Sequence, residues 1–317
     1  MAKYRHNLPQ LSGGLFLTDG GIETTLIFHD GLDLPYFAAF DLLKTAEGQT
    51  ALRNYFSRHA TIAREQGRGF ILESPTWRAS SDWGAKLGYT TAELAAVNRQ
   101  AIALLAELRP RFESARSPVV ISGCVGPRGD GYVAGEMMTA DEAEAYHAAQ
   151  INAFAETEAD MVTAITMTNV PEAIGVTRAA TSAGLPVVIS FTVETDGRLP
   201  SGETLKEAIE TVDAETAKGP AYFMINCAHP DHFGDALAAG ESWVRRIRGL
   251  RANASRLSHA ELDEAEELDD GNPEEFGQQH RDLRSLFGHI CVIGGCCGTD
   301  HRHIEAVCRA CTPAQAA

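Results

Sequence analysis

Two adjacent cysteines, Cys296 and Cys297 in GGCCGT at 294–299, are the residues of this chain best suited to chemistry. On a regular strand neighbouring side chains point to opposite faces, so both sulfurs can reach one ion only if the backbone turns there. Gly294, Gly295 and Gly298 permit that turn and a close approach to a ligand. A third thiol, Cys227 in INCAHP, follows an apolar run at a change of direction marked by Asn226 and Pro230. Three soft sulfur ligands favour Zn²⁺, and three protein ligands leave one coordination position open, the pattern of a catalytic site. Two blander readings stand beside it. The site could be closed by a fourth protein ligand, or the three cysteines could pack without metal.

The other cysteines are weaker candidates. Cys124 in SGCVGP could be that fourth ligand, though a small buried thiol is the simpler role. Cys291 lies within an apolar run and reads as core, and Cys308 and Cys311 form a lone CxxC on a helical stretch that reads as packing. His229, His301 and His303 flank the cysteine motifs and read as caps or supporting groups. Asn226 either orients a ligand or caps a strand end.

The elements that must position these residues alternate strand and helix. Apolar runs at 15–18, 70–73, 119–123, 161–167, 187–192, 222–226 and 291–295, with a polar and doubtful one at 249–254, read as eight strands without hairpins. Helical patterns separate them, such as those beginning at Thr45, Thr91 and Thr139, each opening on a Thr that can cap a helix. Eight such units predict an α/β fold of the (β/α)8 TIM-barrel type, with an open doubly wound sheet as the alternative. In a barrel, residues just past strand ends share the face where sites are built. We expect one barrel domain over 1–317, an acidic insertion at about 255–280 and a frayed tail at 311–317.

Bulk composition narrows the partners. The chain of 317 residues has 43 acids against 27 Lys and Arg, a formal charge of -16 that repels phosphate backbones and anionic lipid surfaces. Nine of the acids lie in 261–275 with no base among them, a solvated acidic stretch or an attractor for a cationic substrate. The first residues lack a secretory h-region, and no run approaches the ~20 apolar residues that span a bilayer. Seven cysteines, an odd count, do not make a disulfide framework. These features predict a cytoplasmic protein with cysteines as thiols or metal ligands and no nucleic-acid or membrane partner. Association into a homo-oligomer stays open.

GGCCGT, the Asn-Cys pair of INCAHP, TDGGIETTL near the N-terminus and GCVGPRGDG together resemble the homocysteine S-methyltransferase family, in order from about residue 15 to 307. The resemblance implies a (β/α)8 barrel whose zinc is held by Cys227, Cys296 and Cys297, with a substrate thiol as fourth ligand. It implies methyl transfer to homocysteine, giving methionine. It also implies that Asp19, Gly20 and Gly21 meet the charged end of the amino acid, by carboxylate and backbone N–H respectively.

One position departs from the family. After the fourth strand the family carries a Glu-Thr pair that grips the substrate ammonium, and here Ile165 and Thr166 stand there. A buried ammonium without a carboxylate is costly, so another acid substitutes or the thiol differs. Glu194 is the substitute expected first, with Glu23 and Glu73 behind it. The donor is expected to be a small sulfonium or quaternary ammonium compound, received by aromatic faces among Tyr36, Trp77, Trp83 and Tyr132. The alternatives are the same chemistry on a different small thiol, and a non-catalytic zinc-binding barrel.

Overall fold

The computed structural model describes residues 1–237, 240–265 and 267–312. Glu266, within the acidic stretch, and 313–317, most of the expected tail, lie outside the described residues. Eight parallel strands follow in chain order: β1 Phe16–Leu17, β2 Gly69–Glu73, β3 Val119–Val125, β4 Met161–Met167, β5 Val187–Phe191, β6 Tyr222–Asn226, β7 Ile247–Ala252 and β8 Val292–Gly295. Each pairs with its neighbours, and β1 also pairs with β8 through Phe16 opposite Val292, which closes the barrel and excludes the open sheet.

The strand interior follows a period of two. Phe16, Ile71, Val120, Met161, Val188, Met224 and Val292 belong to one apolar cluster near the N-terminal ends of the strands. Two residues further along each strand stand Thr18, Glu73, Ser122, Thr163, Ser190, Asn226 and Gly294, a layer that is almost wholly polar. Hydrogen bonds link much of it, with Ser122 Oγ and Thr163 Oγ1 2.8 Å apart and Ser190 Oγ donating to Asn226 Oδ1 at 2.6 Å. The barrel is therefore apolar at one end and equipped for polar chemistry at the other.

Helices cover the outside, held by the caps that their sequences supply. Thr139 and Glu142 form a reciprocal capping box at the start of Ala140–Ala155, and Thr204 and Glu207 do the same for Leu205–Glu215. The helix Thr91–Phe112 takes its cap from Thr90, one residue before the expected Thr91, because Glu93 lies three residues on from Thr90. The β6–β7 connection differs from the expected pattern. Its described residues form only a four-residue helix, Pro230–Phe233, and a 3₁₀ turn, Ser242–Arg246, with Gly240 in the left-handed region at φ 94°. Among the described residues no helix is long and apolar enough to cross a membrane.

Candidate active site

The strand read as doubtful carries the cysteines. β7 lies between β6 and β8, and Cys227 N donates to Arg251 O at 3.1 Å while Cys296 N donates to Ala252 O at 2.8 Å. Both sulfur-bearing turns thus hang on consecutive carbonyls of one strand. Cys227 has φ 52°, a left-handed conformation rare for a residue with a Cβ. Thr166, at the matching end of β4, has φ 65°, and β-branched residues adopt this region still more rarely. Asn226 locks the pair, accepting from Thr166 N at 2.9 Å and donating to Thr166 Oγ1 at 2.8 Å. Gly294 and Gly295 are needed because a Cβ at either would overlap the Thr18 and Thr299 hydroxyls, and Gly298 takes φ 78°.

The sulfurs of Cys227, Cys296 and Cys297 lie within 4.8 Å of one another, with Cys227 and Cys297 3.9 Å apart. A tetrahedral ion with ~2.3 Å bonds to sulfur sets sulfurs ~3.8 Å apart, so the donor set fits zinc. Among the described residues no fourth His, Cys, Asp or Glu joins the cluster; Cys124 lies in the same cavity but outside it. The Sγ atoms of Cys227 and Cys296 come still closer together. The strand ends bring the sulfurs close enough to bond to each other, and metal binding requires the pair reduced to thiolates. Tyr132 Oη lies 3.1 Å from Cys297 Sγ, and its ring stacks on His259 at 4.2 Å.

The sulfurs open on a cavity of about 360 Å³ that charged residues also line. There Arg251, 7% exposed, donates to Asp19 Oδ1 at 2.7 Å and to Glu73 Oε2 at 3.1 Å. Tyr55 Oη takes the other Asp19 oxygen at 3.0 Å. Both expected acids are therefore engaged by the protein itself. Glu23 is not. It lines the cavity with no cation within 4.0 Å among the described residues, and burial, with Asp19 adding to it, pushes its carboxyl up to about 7. Gly20 and Gly21 also line the cavity, where Gly21 N already donates to Thr299 O at 3.0 Å.

The remaining expectations find definite places. Asn226 is fully buried behind the cysteines rather than on the cavity wall. Glu194 is not brought to the cavity; its Oε1 meets His259 Nδ1 at 3.1 Å. Ile165, 7% exposed, does line it. His229 caps the helix Pro230–Phe233, and burial holds its imidazole down at about 4. His303 accepts from Asp300 N in a capping box. Leu262, Ala265, Glu267, Leu268 and Asp269 form part of the wall, so the acidic stretch folds over the site rather than away from it. Arg78 was overlooked by sequence reasoning and also lines the cavity. A cation between the two tryptophans of SPTWRASSDW was the available signal.

A closed parallel barrel with three thiols converging past the ends of β6 and β8 defines a class of barrel enzyme built for soft-metal and thiol chemistry. Residues 16–311 match the model of the homocysteine S-methyltransferase family, and the chain belongs to that family. It is a methyltransferase. Homocysteine S-methyltransferase 1 of Brassica oleracea var. italica is 23% identical over 96% of this chain and 95% of its own length. A selenocysteine Se-methyltransferase of the same plant is 23% identical over 93% of this chain and 88% of its own. The homocysteine methyltransferase MmuM of Escherichia coli, solved in a metallated form, shares the fold at a TM-score of 0.74, with 18% identity over 95% of this chain and 98% of MmuM. An oxidized form of MmuM also matches at 0.74.

Proposed function

We propose that this enzyme transfers a methyl group from a small sulfonium or quaternary ammonium donor to a thiol held at Cys227, Cys296 and Cys297, with homocysteine as acceptor and methionine as product. Thiol and onium donor give thioether, demethylated donor and one proton. The observation that carries the reading is the convergence of three sulfurs, with no fourth protein ligand among the described residues, in a chain of this family. Zn²⁺, when bound, deprotonates a coordinated thiol and so supplies the nucleophile at neutral pH. The chain's own residues do the rest. Asn226 and the β7 carbonyls hold the cysteine turns, and Tyr132 sits against Cys297. Gly20 offers a backbone N–H toward the acceptor's carboxylate.

For the ammonium we assign Glu23 in place of Glu194, because among Asp19, Glu23 and Glu73 it is the acid with no cation within 4.0 Å among the described residues, whereas Glu194 does not line the cavity. We read the chain as one barrel domain, 1–317, whose insertion at about 255–280 covers the site, and as a cytoplasmic protein, since a reducing compartment keeps the cysteines available. A metal analysis combined with a thiol-by-donor screen, using homocysteine with S-methylmethionine, S-adenosylmethionine, betaine or dimethylsulfoniopropionate, tests the reading on the reduced wild type and on Cys297→Ser. Zinc and turnover in the wild type, both lost in the variant, are expected. Turnover that survives without metal would overturn it.

A further inference from the structure

The two arginines of the cavity differ in one respect. Arg251 faces two carboxylates, whereas Arg78 faces none within 4.0 Å among the described residues, although it is only 5% exposed. The Arg78 guanidinium lies 3.9 Å from the centre of the Trp77 ring and 3.8 Å from that of Trp83. Its Nη1 donates to Gly129 O at 2.8 Å, while Nε is buried without a partner and Nη2 bonds to none of the described residues. Asp130 and Glu23 are the acids that act on it, from a distance. A buried cation normally has a paired anion, and one fixed in orientation but left unpaired at a cavity wall awaits a ligand.

The same geometry alters the role expected of the aromatic residues. The chain's own cations already lie over Trp77 and Trp83, with Lys86 at 3.8 Å from the Trp83 ring besides Arg78. Gly126 and Gly131 press against Trp77 so closely that an added Cβ would meet its ring at 2.7 and 2.9 Å. These rings thereby already support cations of the chain itself. Trp77 Nε1 donates to Ile165 O at 3.2 Å, which fixes this corner to the end of β4, next to Thr166 and the sulfurs.

We propose that Arg78 is a specificity-determining residue that receives a carboxylate carried by one of the two substrates of the thiol methylation. A guanidinium clamped in plane suits a planar carboxylate, and Lys would not reproduce its fork. With Glu23 on the same wall, the cavity then offers one fixed positive and one fixed negative group to zwitterionic substrates. This rests on the proposed thiol methylation for its setting, and the experiment separates the two.

The test compares wild type, Arg78→Met and Arg78→Lys with substrate pairs that differ only in the carboxylate. Dimethylsulfoniopropionate against ethyldimethylsulfonium serves for the donor, and homocysteine against 3-aminopropane-1-thiol for the acceptor. In Arg78→Met the KM for the carboxylate-bearing member of one pair should rise roughly ten- to hundredfold, with its decarboxylated analogue unaffected. Arg78→Lys should recover part of the loss. The pair that responds identifies the substrate. Equal effects on both members of each pair, or none, would overturn the proposal. Should no thiol be methylated, titrations followed by tryptophan fluorescence still decide. Binding of dimethylsulfoniopropionate or homocysteine that the decarboxylated analogue lacks, and that Arg78→Met abolishes, supports the assignment; its absence refutes it. Should Arg78→Met fail to fold, the same selective loss, smaller, is read in Arg78→Lys.

Discussion

The sulfur wall and the charged wall of the cavity are assembled from the chain in opposite ways. Cys227, Cys296 and Cys297 come from two short motifs at the ends of β6 and β8, and both turns hang on β7. Asp19, Glu23, Glu73, Arg78 and Arg251 come one or two at a time from β1, β2, β7 and the segments that follow them. The sulfur wall depends on residue identity at three positions, since only a thiolate gives soft ligation. The charged wall depends on pairing, since the role of each acid is set by whether an arginine already occupies it. In Arg251 the protein neutralises its own charges, whereas Glu23 and Arg78 have no ion pair within 4.0 Å among the described residues.

Substitutions that separate the walls should show this. The largest effect belongs to Cys297→Ser, with activity lower by about a thousandfold or more and zinc content near zero while the fold persists, as read by metal analysis, assay and circular dichroism. Arg251→Met should act on stability, because it strands Asp19 and Glu73 as buried unpaired acids. A loss of about 3–5 kcal/mol in denaturant unfolding is expected. A loss of activity with unchanged stability would mean that the triad is not structural.

Glu23→Gln should do the reverse and stabilise the protein at alkaline pH. Glu23 holds its proton up to about 7, against an ordinary value of 4.5, so the unfolded chain ionises first. Stability therefore falls as pH rises from 4.5 to about 7 and is level above, and the variant should remove that fall, about 1–3 kcal/mol since the side chain is partly open to the cavity. Homocysteine affinity should rise in wild type as Glu23 ionises, around pH 7, and become flat there and about tenfold weaker in Glu23→Gln. The smallest effect is that of Cys308→Ala, a fully buried thiol that does not line the cavity, costing about 1 kcal/mol with zinc content unchanged.

How much could be read in advance follows the same division. The strand runs were legible because parallel strands buried on both faces leave continuous apolar segments. Even β7, written IRGLRA, overlaps the polar run at 249–254 though it starts two residues earlier, its polarity explained by Arg251 pointing into a charged interior. The described part of the β6–β7 connection holds a four-residue helix in place of a full helical unit, a shortening that spacing alone does not reveal. Glu194 was preferred to Glu23 because both follow strands, and sequence does not tell which carboxylate meets a histidine and which faces a cavity. Nor does sequence tell that Trp77 and Trp83 already carry the guanidinium of their neighbour Arg78.

By itself the sequence determined the barrel and the thiol chemistry, because strand periodicity and sulfur ligation are properties of residue type and order. Only the tertiary structure decided which buried charges pair with one another and which do not. Pairing across a barrel joins residues as far apart as Asp19 and Arg251, and the energy of a buried charge depends on that partner rather than on the residue's own identity.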